Sequence, residues 1–150
     1  EILGGGRTSR FYRELVEKQG IAVSASAYSY EMAARGLIAI SASPSPGKSV
    51  DMLRKASQVI VDKYLAEGPT AQELERAKRM IAASTTFARD SQVAMANWYG
   101  GQLVVGETVE QIEGWDDRIR AVTAEQVKTA LNKYLKGQNY IDATLMPGKE

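Results

Sequence analysis

The chain holds 150 residues, 19 basic and 18 acidic, with 44% apolar content and neither histidine nor cysteine. That balance describes one folded domain and excludes a broad charged field for nucleic acid or an anionic membrane surface. The missing imidazole and thiolate exclude a complete zinc or cysteine active site built from this chain alone.

Glu1-Ile2-Leu3 runs into Gly4-Gly5-Gly6, which reads as the last turn of a helix closed by glycine; the chain is expected to be a piece of a larger protein. Ser9 can cap a helix over residues 10–18, with Phe11, Leu15 and Val16 on its apolar side and Gly20 as its stop. Two strands are expected at 21–30 and 36–43, joined by the polar turn Glu31 to Arg35 as an antiparallel pair. Alternation places Val23, Ala25 and Ala27 on one face of the first, and Ile38, Ile40 and Ala42 on one face of the second.

Ser45 followed by Pro46 suits the start of a helix in which Val50, Leu53, Ile60 and Tyr64 share a face as far as Gly68-Pro69. Capping boxes at Thr70–Glu73, Thr108–Gln111 and Thr123–Gln126 mark three further helix starts. The first of these carries Leu74, Ala77 and Ile81 and is expected to run through Ala88 toward Trp98, with Gly100-Gly101 interrupting it. The second has Val109, Ile112 and Ile119 on its apolar side and a weak point at Gly114. The third is lined by Val127, Ala130, Leu131 and Tyr134, and residues 140–146 read as a closing strand before Pro147-Gly148. The order implies an α+β fold, a mainly antiparallel sheet with helices packed on one face.

Few segments carry chemistry. Residues 42–49 end in Gly47-Lys48-Ser49 like a phosphate-binding loop, but Ala42 stands where glycine is needed, and Pro44 and Pro46 donate no N–H, so a strand-to-helix turn is the better reading. Gly4–Gly6 with Arg7 and Arg10 could hold an anion ahead of a helix, although a tight connection is the plainer reading. Glu110, Glu113 and Asp117 form an acidic helical edge, expected to be a solvated face pairing with Arg118 and Arg120. Ser9, Ser24 and Thr86 have no histidine to activate them, and Lys48 has no evident burial to lower its pKa. Trp98, Tyr99 and Trp115 are expected to fill core or interface.

The stretch from Leu3 to Val23, with Leu3-Gly4-Gly5-Gly6, Ser9-Arg10-Phe11 and Leu15-Val16-Glu17-Lys18-Gln19-Gly20-Ile21-Ala22-Val23, resembles the opening motif of the C-terminal domain of insulinase-type zinc metallopeptidases. That family includes pitrilysin, the mitochondrial processing peptidases and bacterial two-subunit relatives. The likeness continues through residues 43–46, 68–78, 122–127 and 133–135. It implies a metallopeptidase clamshell half, of the kind found in LuxS and the processing peptidases. It also implies zinc held by a His-x-x-Glu-His helix of an N-terminal domain, with this half closing over a peptide substrate. In active members an arginine and a tyrosine seven residues apart are thought to hold the substrate, and the matching positions here are Val16 and Val23. Valine donates no hydrogen bond to a peptide carbonyl. No catalytic residue and no metal ligand is therefore expected in this chain; zinc belongs to the parent protein, and the Arg/Tyr pair to a possible second subunit. A catalytically inactive scaffold subunit of processing-peptidase type is the alternative, and an unrelated binding module a third. No nucleic-acid partner and no membrane span are expected. The parent is expected to be a periplasmic or cytoplasmic bacterial protein.

Overall fold

The computed structural model describes residues 1–34, 36–137 and 140–146. After an N-terminal turn come a π-helix (Tyr12–Lys18) and strands β1 (Ala22–Tyr30) and β2 (Leu37–Pro44). Six α-helices follow: α1 (Val50–Glu67), α2 (Ala71–Arg89), α3 (Gln92–Val104), α4 (Val109–Glu113), α5 (Trp115–Ala121) and α6 (Ala124–Tyr134). The architecture is α+β, as the order of elements implied, and the sheet among the described residues is the antiparallel pair β1–β2.

Register explains which strand residues are buried. Ala25 faces Ala42 and Ala27 faces Ile40, and of this set Ala25, Ala27 and Ala42 pack on the core while Ile40 stays 42% exposed. Ser24, Ser26, Tyr28 and Tyr30 pair with Ser43, Ser41, Ala39 and Leu37 on the opposite, open face. An irregularity between Ala22 and Ser24 breaks the alternation, so Ala22 is buried while Val23 is 58% exposed, and Val23 does not join Ala25 in the core as its parity predicts. Phe11 and Leu15 are fully buried between the sheet and α1, with Leu53, Ile60 and Tyr64 of α1 completing the cluster and Val127 and Leu131 of α6 packing on its margin.

The helix over residues 10–18 forms, but from Tyr12 it widens to π geometry, with Gln19 N–H donating to the Glu14 carbonyl at 3.1 Å. All three capping boxes close as read, and Gly114 separates α4 from α5. Other boundaries differ from expectation. Ser45 does not cap α1: Lys48 N–H bonds back to the Ser45 carbonyl at 2.9 Å with Gly47 at φ 77°, a type II turn with Pro46 and Gly47 at its corner positions, and Ser49 is the cap. A residue at that φ cannot lie in a right-handed helix, so α1 starts after it. The expected single helix from Thr70 toward Trp98 is two helices, because Ser91 turns extended and caps α3 by accepting from Ala94 N–H. Gly100-Gly101 does not interrupt α3: open space surrounds both glycines, which weaken the helix without blocking it. Ala130 and Tyr134 lie on the exposed side of α6. Residues 140–146 pair with no strand among the described residues, so the expected closing strand is not part of the sheet; Pro147-Gly148 lies outside the described residues.

Candidate functional site at the glycine-rich corner

The motif-bearing residues 3–23 converge on one corner, and its geometry is structural in character. Gly5 N–H donates to the Glu1 carbonyl at 2.9 Å, closing a single turn, and that turn docks on the mid-strand of β1, where Ala27 N–H donates to the Gly4 carbonyl at 3.3 Å. A Cβ on Gly4 would lie 1.9 Å from the Ala27 nitrogen, so only glycine permits the approach. The same turn terminates the following helix: Arg10 N–H donates to Ile2 O and Phe11 N–H to Leu3 O, both at 3.0 Å. Tyr12 N–H reaches Ser9 Oγ at 3.4 Å, and Arg13 N–H reaches Ser9 O at 3.1 Å. The donors that an anion would need at this helix end are all engaged.

Arg10 is engaged as well. Its guanidinium donates to both Glu73 carboxylate oxygens, at 2.8 and 2.7 Å, and to the Gly68 carbonyl at 2.9 Å, while lying 4.4 Å over the Tyr64 ring. Burial pushes the Glu73 carboxyl up, but the Arg10 hydrogen bonds and the Thr70 N–H more than offset this and hold it near pKa 2. Burial is also the main reason the Tyr64 hydroxyl is raised to about 12. This clasp ties the motif helix to the start of α2, 63 residues away. The sequence marked Glu73 only as a capping-box residue and gave no sign of its second partner.

Val16 and Val23 stand apart in environment. Val16 is half-buried and packs on the core from the π-helix, whereas Val23 projects from the irregular start of β1. Between them Gly20 turns the chain at φ 60°, with Ile21 N–H bonded to Leu15 O at 3.0 Å.

The other sequence candidates do not gather here. The 42–49 segment is the end of β2 and the turn described above, in which Ser45 N–H donates to the Ile21 carbonyl and Lys48 N–H to the Ser45 carbonyl, both at 2.9 Å. On the acidic edge, Arg120 pairs with Asp117 and Arg118 with Glu107, each at 3.1 Å. Trp98 and Tyr99 pack edge to face with ring centres 5.7 Å apart, and Trp115 lies under Arg118 at 5.5 Å. A groove of about 520 Å³ between the π-helix and α1 is rimmed by charges of both signs, among them Arg13, Glu14, Lys63 and Glu67. Zinc does not fit this chain: no imidazole or thiolate exists in it, and among the described residues no three carboxylates converge. No helix of the described residues is long and apolar enough to cross a membrane.

The corner is thus a structural clasp in an α+β domain that has neither imidazole nor thiolate to offer a metal. Residues 1–81 match the family model described as the peptidase M16 inactive domain, and the chain belongs to that family. An uncharacterised zinc protease of Streptomyces coelicolor is 31% identical over 89% of this chain and 29% of its own length. The human mitochondrial-processing peptidase subunit alpha is 25% identical over 93% of the chain and 26% of its own length. The M16 inactive-domain structure from Pseudomonas fluorescens superposes with a TM-score of 0.78 at 31% identity, over 89% of this chain and 32% of that one. The chain thus spans about a third or less of the curated relatives it matches.

Proposed function

We propose that this chain is the noncatalytic half of an insulinase-family zinc endopeptidase, a wall of the chamber in which a zinc-bearing N-terminal domain of the same protein hydrolyses peptides. The observation that carries this reading is a family motif with valine, Val16 and Val23, at both positions where the resemblance places the substrate-holding arginine and tyrosine. The clasp around Gly4, Arg10 and Glu73 supports a framework role, since it orders the motif helix and engages both the Arg10 guanidinium and the amides of the helix start in intramolecular bonds. Substrate contacts of the arginine–tyrosine kind would then come from a second subunit. The same valines, with the likeness to a processing-peptidase subunit, also suit an inactive scaffold subunit, which is the second reading.

Zinc analysis and peptide cleavage separate these. The parent polypeptide is expected to bind one zinc and, with any partner subunit, to cut unfolded peptides. The 150-residue chain is expected to bind no zinc tightly and to cut nothing. Stoichiometric zinc on the chain alone would overturn both readings, while a parent without zinc would leave the scaffold.

A further inference from the structure

The groove between the π-helix and α1 holds more positive charge than its own carboxylates answer. Four cations and three carboxylates line its volume of about 520 Å³. Arg10 binds Glu73 at 2.7 Å, and Lys18 binds Glu14 at 2.6 Å. Glu67, the remaining carboxylate, lies close enough to Arg10 to act on its charge. That leaves Arg13 on the π-helix and Lys63 on α1, and among the described residues neither side chain makes a hydrogen bond or an ion pair. The apolar part of the groove comes from α1, where Ile60 belongs to the core and Val59 beside it is 66% exposed. Two unanswered cations on facing walls, with an exposed valine in the same lining, favour an occupant that is anionic and partly apolar. The α1 residues of the groove run from Ala56 to Glu67, about 16 Å at the helical rise, and an extended chain of about five residues matches that length. Its alternating side chains can cover Val59 with one row and offer carboxylates to the rim with the other.

We propose that this groove docks an extended acidic segment of another protein, whose carboxylates pair with Arg13 and Lys63 and whose apolar side chains cover Val59. Neither Val16 nor Val23 lines the groove, so its occupant is separate from any peptide held where the family resemblance places the arginine and tyrosine. The proposal goes beyond the peptidase reading and does not depend on it.

The test uses the parent polypeptide and a fluorescein-labelled peptide in which glutamates alternate with leucines, followed by fluorescence anisotropy. The peptide should bind saturably, its lysine-for-glutamate counterpart should not, and affinity should fall at least about fivefold between about 50 and 500 mM salt as the exposed charge pairs are screened. Arg13→Glu combined with Lys63→Glu should weaken binding of the glutamate peptide at least about tenfold and should take up the lysine peptide instead, which an unfolded variant would not do. The charge-preserving pair Arg13→Lys and Lys63→Arg should stay within about threefold of the parent. No binding by the parent, equal binding of the two peptides, or a charge-reversed variant that binds the glutamate peptide as well as the parent does would overturn the proposal. Binding by the 150-residue chain alone, absent from the parent, would assign the groove to a segment of the parent itself, and cleavage of the bound probe would assign it to substrate; either result overturns it too. A parent that binds the probe but cuts no peptide would sink the peptidase reading and leave this one standing.

Discussion

Arg10 and Glu73 do at one point what the hydrophobic cluster does over a surface. Each side chain is 14% exposed, so the pair sits largely out of water, and its bidentate geometry with the Gly68 carbonyl and Thr70 N–H satisfies most of its hydrogen-bonding capacity. The Glu73 pKa falls from the ordinary 4.5 to about 2 on folding, so the carboxylate contributes stability that is present above pH 4.5 and lost as the pH falls toward 2. Glu73→Gln is therefore expected to lower urea stability by about 1–2 kcal/mol at pH 7, by losing charge-assisted hydrogen bonds. The gap from wild type should shrink steadily between pH 4.5 and 2. A gap that stays constant across that window would show that the clasp acts through packing alone.

At the scale of elements, contacts local in sequence were the legible ones. The boxes at Thr70, Thr108 and Thr123 each join residues three apart, so residue type and spacing nearly specify the geometry. The start of α1 differs from its sequence signal for an equally local reason: Ser45-Pro46 imitates a cap followed by a first helical proline, yet Gly47 beside Pro46 favours the type II turn. The break at Ser91 was hidden because the surrounding residues suit a helix and only the serine's extended backbone starts a new one. Of the candidate site, the motif and its two valines were legible, whereas the Arg10–Glu73 bond and the docking of Gly4 on Ala27 join residues far apart in the chain and leave no periodic trace. The corrected cap is open to test. Ser49→Ala should cost about 1 kcal/mol because Met52 N–H loses its acceptor, while Ser45→Ala should stay within about 0.5 kcal/mol because Ser45 bonds through its main chain. Equal losses in chemical denaturation would return the cap to Ser45.

Across the whole molecule the helices and the sheet differ in how they meet water. Ion pairs such as Arg89–Asp116 lie on the helix surfaces, whereas strands β1 and β2 carry no charged side chain and offer an open face of serines ending in the Tyr28–Tyr30 pair, 5.3 Å apart. Natural sheets guard such edges with lysine, proline or a covering element, and among the described residues the outer edge of β1 is met by the Gly4 carbonyl, which accepts from Ala27 N–H. A net charge of +1 adds little repulsion between copies, and at the sequence pI of about 8.2 it adds none. The 150-residue chain is therefore expected to self-associate in a concentration-dependent way through the hairpin, at pH 6 as at pH 8. Leu37 is 45% exposed at the start of β2, and Leu37→Lys sets a charge on that edge without touching the buried cluster. The variant should sediment as a monomer at concentrations where the wild type does not, with a stability change within about 0.5 kcal/mol. A wild-type chain that stays monomeric at pH 8, or a Leu37→Lys chain that associates as strongly, would mean that the hairpin is not adhesive, and the exposed apolar residues of the helices, Phe87 and Val104 foremost, would have to be weighed as the sticky surface instead.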